Sequence, residues 1–116
     1  MVIPFADRTR VLVVFGTRPE AIKMIPVIRA LQDSGKFRPV VVSTGQHTDL
    51  VEDLIRNSGL RLDVNLQASR KTDGKAPSLN EIFARIMVGV DRIWSEETLP
   101  QEYRGDGQRS VQGAVA

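Results

Sequence analysis

An α/β fold built on a parallel sheet is what this sequence predicts, and three observations predict it. Val11-Leu12-Val13-Val14-Phe15 is a continuous apolar, β-rich run closed by Gly16. Such runs mark strands buried on both faces, the hallmark of parallel sheets. Val40-Val41-Val42 begins to repeat the pattern, and apolar residues at helical spacing lie between and after the two runs. Strands alternating with helices imply βαβ units.

The elements follow in order. Pro19 suits the first turn of a helix, where its missing N–H costs nothing. Ala21, Ile22, Ile25, Ile28 and Leu31 continue at helical spacing. Pro26 interrupts them and predicts a kink, or a short turn followed by a longer helix. Gly35 ends the helix. Phe37 to Ser43 is the second strand, and Thr44-Gly45-Gln46-His47 is its exit loop. Thr48 caps a helix with Leu50, Val51, Leu54 and Ile55 on its apolar face, and Gly59 closes it. Leu60, Leu62, Val64 and Leu66 alternate with Arg61, Asp63 and Asn65, which predicts a half-exposed strand near a sheet edge.

Residues 67–77 are polar and predict a mobile loop. Ser78-Leu79-Asn80-Glu81 fits a capping box. Leu79, Ile82, Phe83, Ile86, Val90, Ile93 and Trp94 form the cleanest helical stripe, with Phe83 and Trp94 expected in the core. From Ser95 the pattern fails. The expected organisation is a partial domain over 1–94 and an irregular tail over 95–116, with no internal repeat.

Composition narrows the function classes. At 116 residues the chain is one small domain, with 41% hydrophobic and 26% charged residues, ordinary for a globular protein. A net charge of +2, with scattered basic residues, gives no case for nucleic acid. Without cysteine there is no disulfide or thiolate chemistry. A single histidine, His47, argues against a histidine-based metal site. Asp7, Arg8 and Arg10 follow only a few apolar residues, unlike a signal peptide. No apolar run approaches the ~20 residues that span a bilayer. The default expectation is a cytoplasmic protein.

Right-handed crossovers put the loops that follow parallel strands on one edge, where ligands of open α/β sheets bind. Gly16-Thr17-Arg18 and Thr44-Gly45-Gln46-His47 should therefore be neighbours. Gly16 permits the tight turn, the following helix offers N–H groups at its positive dipole end, and Arg18 stands where it can grip a phosphate through two parallel bonds. A dinucleotide fingerprint needs three glycines and a P-loop needs Gly-Lys-Ser/Thr; this loop has neither. The residues fit an anion site and fit a solvated arginine as well. Lys23, within about one turn of the loop, fits either a second positive charge or a surface lysine. His47 fits a phosphate ligand or acid–base group, and equally a loop histidine bonded to backbone. Arg70, Lys71 and Lys75 read as a solvated basic loop.

The run Val13-Val14-Phe15-Gly16-Thr17-Arg18-Pro19-Glu20-Ala21-Ile22-Lys23-Met24-Ile25-Pro26 closely resembles the start of the non-hydrolysing UDP-N-acetylglucosamine 2-epimerases. Ser43-Thr44-Gly45-Gln46-His47, Asp63-Val64-Asn65-Leu66 and the Leu79 to Trp94 helix continue the resemblance. It implies two Rossmann-like domains in a GT-B-like arrangement, with the active site between them. It implies interconversion of UDP-GlcNAc and UDP-ManNAc with no metal or redox cofactor, no nucleic-acid or membrane partner, and a homodimer. Arg18, with Gly16 and Thr17, matches the UDP-sugar site and Lys23 an active-site lysine. Gln46 matches a glutamine that helps bind a second, regulatory UDP-GlcNAc, and His47 its neighbour. Thr48 stands where the family usually has arginine. The family has a buried strand ending in His-Gly-Asp, whose Asp is catalytic. Here Gly105-Asp106 falls near that distance without the apolar strand before it, so Asp106 is the catalytic candidate. The family's second domain has no counterpart in these residues, so the chain alone is expected to be incomplete and inactive. A non-catalytic nucleotide-sugar-binding remnant and a fragment of a related glycosyltransferase are the alternatives. A receiver-like module needs an acidic cluster after the first strand, where Arg18 stands instead.

Overall fold

The computed structural model describes residues 3–45 and 48–95. After a short 3-10 turn (Phe5–Asp7) come β1 (Thr9–Phe15), α1 (Arg18–Asp33), β2 (Phe37–Ser43), α2 (Thr48–Asn57), β3 (Val64–Asn65) and α3 (Leu79–Ser95). The three strands form one parallel sheet in the order β1-β2-β3. The predicted α/β fold is therefore present, and the predicted edge position of the third strand with it.

β1 and β2 pair along their whole length, from Thr9↔Phe37 to Phe15↔Ser43. Both valine-rich runs are apolar on both faces because both faces are covered. Val13, Phe15 and Val41 pack against Ala21 and Ile28 of α1 and Val51 and Ile55 of α2. Leu12, Val40 and Val42 pack on the other face, against Ile86, Val90 and Ile93 of α3. α1 runs unbroken through Pro26, which is exposed. The hydrogen bond that Pro26 cannot donate would have reached Ile22, also on the solvent side, where the carbonyl is open to water. Ile22 and Leu50, expected on apolar faces, are exposed. The capping box of α3 forms as predicted: Ser78 N–H donates to Glu81 Oε1 at 3.2 Å and Glu81 N–H to Ser78 Oγ at 3.1 Å.

β3 departs from its predicted form. The alternation predicted one buried face, but Leu62 packs with α1 and α2 while Val64 and Leu66 pack beneath α3. The chain changes faces at Asp63. Its N–H donates to the Val41 carbonyl at 3.0 Å, and its own Oδ2 accepts the Val41 N–H at 2.8 Å. A side chain thus takes the place of a strand carbonyl, and regular pairing starts only at Val42↔Val64. Further back, Pro39 has no N–H to offer on this edge of β2, which is why the ladder goes no further.

Phe83 and Trp94 correct a second expectation. Both were expected in the core and both are exposed, as is Met87. The apolar arc of α3 is wider than the sheet beneath it. Gly89 sits so close to the sheet that an added Cβ would lie 2.6 Å from a methyl of Leu66, so α3 is seated on its β3 flank and leaves the other flank bare. The 67–77 loop, expected to be mobile, has an internal frame. Thr72 and Lys75 form an antiparallel bridge, and the mostly buried Arg85 of α3 donates to the carbonyls of Ala68 (3.0 Å) and Arg70 (2.7 Å) and to Thr72 Oγ1 (3.2 Å).

Two consequences can be measured. Burial pushes the Asp63 carboxyl up from its ordinary 3.8 to about 6, against the pull of the Val41 N–H and Arg61. The folded chain therefore holds a proton that the unfolded chain has released between those values. Stability falls as pH rises through that window and stays at the lower level above it, by at most about 3 kcal/mol. Asp63→Asn keeps an oxygen for the Val41 N–H without the charge. Urea denaturation from about pH 4 to about pH 8 should show this slope in the wild type and lose it in the variant; equal slopes would remove burial of Asp63 as the cause. Gly89→Val should lower stability by about 1–3 kcal/mol through overpacking against Leu66. An unchanged urea midpoint would mean that α3 is not seated on Leu66.

Candidate functional site

Because the strands are parallel, the three loops that follow them leave the sheet on one edge. Backbone bonds stitch those exits together. Thr44 N–H donates to the Phe15 carbonyl at 2.9 Å, Leu66 N–H to Ser43 at 2.9 Å, and Ala68 N–H to Thr44 at 2.8 Å. Gly16-Thr17-Arg18 and Thr44-Gly45 are therefore neighbours, as expected.

The first loop is shaped by its own helix. Thr17 caps α1 in an extended conformation, and Pro19 lies in the first turn. Glu20 reaches back, its Oε1 accepting from the Thr17 hydroxyl at 2.7 Å and the Thr17 N–H at 3.0 Å. These bonds, the Thr17 hydroxyl foremost, together with the Gly16 N–H and the charge of Lys23, hold the Glu20 carboxyl below its ordinary range. The donors of this loop thus already face a negative group. Gly16 is buried, Thr17 half-buried, and Arg18 and Lys23 exposed. Both cations are free to meet a ligand from solvent, and Lys23 is near enough to Glu20 to act on its charge.

The second and third loops form a concavity of about 450 Å³, lined by Gly45, Asn65, Gln67, Ser69 and Arg70. Gly45 makes room for it. Its φ is +89°, and a Cβ there would lie 2.7 Å from Asn65 Oδ1 and 2.8 Å from the Gln67 backbone. Only glycine combines that conformation with that approach. Asn65 is held from α2, donating to Glu52 Oε1 at 3.1 Å, while its Oδ1 accepts the Gln67 N–H at 2.9 Å. Thr44 Oγ1 is buried at this edge without a hydrogen-bond partner among the described residues. Arg70 donates to the Gln67 carbonyl at 3.1 Å.

Of the residues singled out in the sequence, Gly16, Thr17, Arg18 and Lys23 share the first loop and the first turns of α1. Gln46, His47 and Asp106 lie outside the described residues. Sequence reasoning missed Asn65, Ser69 and Arg70 as lining residues. The signal was present: if the third strand is parallel to the first two, its exit loop must leave on the same edge.

Comparison with known proteins fits this geometry. No family model matches the chain. It is 38% identical over 87 residues to the UDP-N-acetylglucosamine 2-epimerase of Yersinia pestis, a match that covers 75% of this chain and 22% of that protein. The Escherichia coli K12 enzyme of the same name gives 37% over 87 residues, with the same coverage. Among solved structures, the UDP-GlcNAc 2-epimerase of Neisseria meningitidis bound to UDP-GlcNAc superposes with a TM-score of 0.65 at 34% identity, covering 75% of this chain and 22% of that one. A putative 2-epimerase from Listeria monocytogenes gives a TM-score of 0.59 at 30% identity, with 76% of this chain and 22% of that one covered. The chain thus spans about 22% of the length of these relatives. With sequence identity above 30% and superposition of the fold in agreement, the chain is a counterpart of the N-terminal portion of the UDP-N-acetylglucosamine 2-epimerases that it matches.

Proposed function

We propose that the carboxyl edge of this sheet is the N-terminal half of a site for UDP-GlcNAc and UDP-ManNAc. A second domain of the family fold is needed to close it. The observation that carries this reading is the first loop: Arg18 sets an exposed cation at the start of α1, beside Thr44 and Gly45. In the proposed reaction the C2 proton is removed as the C1–O bond to UDP breaks. UDP leaves with the bonding pair, and a glycal remains. UDP then adds back at C1 while a proton is delivered to the opposite face of C2.

Such a leaving group asks for positive charge where negative charge develops, and the C2 proton asks for a positioned acid and base. Arg18 is assigned to the diphosphate and Lys23, on the next turn of α1, to the sugar. Gln46 and His47 are assigned to the second loop's share of the ligand, and Asp106 to proton transfer. The unpartnered Thr44 hydroxyl, and Asn65, Gln67, Ser69 and Arg70 around the neighbouring concavity, favour a ligand with polar groups here. The same reading includes the partial domain over 1–94, a homodimer and a cytoplasmic location. Among the described residues no helix is long and apolar enough to cross a membrane.

Coverage of about 22% of the relatives favours binding without turnover in this chain by itself. Incubated alone with UDP-GlcNAc in deuterated water, it should incorporate no deuterium at C2 by proton NMR; growth of UDP-ManNAc would show that 116 residues suffice. Titration with UDP should shift the amide resonances of Gly16, Thr17 and Gly45. Arg18→Gln should weaken that response about tenfold, or about 1.4 kcal/mol, with the melting curve unchanged because the side chain is exposed. Shifts confined to other parts of the chain, or none at millimolar UDP, would overturn the proposal.

A further inference from the structure

Val64 packs beneath α3, so Asn65, the next residue and the last of β3, turns its side chain to the face that α2 covers. Asn65 is buried, and its one planar amide meets three elements. Its Nδ2 donates to Glu52 Oε1 of α2 at 3.1 Å, and its Oδ1 accepts the Gln67 N–H of the third loop at 2.9 Å. Gly45 of the second loop lies so near that a Cβ there would stand 2.7 Å from the same Oδ1.

The partners decide which side chain can stand between them. A carboxylate only accepts and a backbone N–H only donates, so the group in the middle must do both. Aspartate has the shape without the donor, and glutamine has the donor on a longer stem. Gln67 depends on the bond it receives. Its φ is +53°, in the left-handed region that residues other than glycine adopt at a cost. The second loop is bracketed by the same amide: Gly45 precedes Gln46 and His47 in the chain, and Glu52 follows them in α2. Just beyond, Ala68 N–H donates to the Thr44 carbonyl at 2.8 Å and ties the third loop to the second once more.

We propose that Asn65 is a positioning residue, anchored by Glu52, which holds the second and third loops at a fixed spacing for the ligand of the carboxyl edge. Glu52 is not among the residues that line the concavity, so its influence on a ligand passes through Asn65. What the loops hold rests on the substrate reading; how they are held rests on the hydrogen bonds alone.

The test reads amide hydrogen exchange and UDP titration by NMR in the full 116-residue chain. Glu52→Ala removes the anchor from a half-buried helix position and leaves every lining residue in place. Expected are exchange at the Gln67 amide at least ~10-fold faster, with β1 unchanged, and a UDP response at Gly45 about tenfold weaker. Asn65→Asp keeps the acceptor for Gln67 but sets two carboxylates face to face, and should lose both readouts in the same way. Adding Glu52→Gln to Asn65→Asp supplies the donor from the other side and should restore both. Direct contact of Asn65 with the ligand gives a different pattern: a UDP response lost in Asn65→Asp, not recovered in the double variant and untouched by Glu52→Ala. That pattern overturns the proposal, and so does wild-type exchange at Gln67 in Glu52→Ala. If the wild-type chain gives no UDP response, the substrate reading fails, and exchange at Gln67 across the same variants decides the positioning role by itself.

Discussion

Thr9 to Phe15 pairs in parallel with Phe37 to Ser43 along the full length of both strands, and the rest of the molecule is arranged by that ladder. It offers two apolar faces, so it requires helices on both sides: α1 and α2 on one, α3 on the other. It also fixes where each loop emerges. Because Phe15 and Ser43 are partners, the first and second loops begin at the same level, and Thr44 can bond back to Phe15. The polar edge is thus a result of strand register, and no loop could be moved along it without shifting a core residue to the opposite face.

Much of this was legible in the residues, and the reason is physical. A doubly buried strand has to be apolar without alternation, so Val11 to Phe15 and Val40 to Val42 announce a parallel sheet. A capping box is local chemistry, so Ser78 and Glu81 could be paired from spacing alone. What could not be read was anything that depends on how much surface a neighbour covers. Phe83 and Trp94 lie on the apolar arc of α3 as surely as Ile86 and Ile93 do. Which half of the arc is buried is decided by Gly89 closing onto Leu66 and by the width of a three-stranded sheet.

The site divides in the same way. Arg18 and its loop could be located because a glycine, a proline and an apolar strand bracket them. Parallel topology could have placed Asn65, Ser69 and Arg70 at this edge, but not the shape they line, because composition alone makes 67–77 an ordinary polar loop. Its shape is imposed from outside, by Arg85 across the 68–72 backbone and by Gly45 allowing the second loop to lie against Gln67. Long-range hydrogen bonds of this kind leave no local spacing to detect.

The change of face at Asp63 bears on how the molecule comes apart. Leu62 belongs to one core and Val64 to the other, two residues apart on a segment held by the backbone of β2. Neither helical layer can loosen without pulling on that short stretch. Two cores on opposite sides of a thin sheet would otherwise be free to melt separately; threading one segment through both couples them. Such a sheet is expected to unravel as a single unit, with partial opening left to its exposed loops.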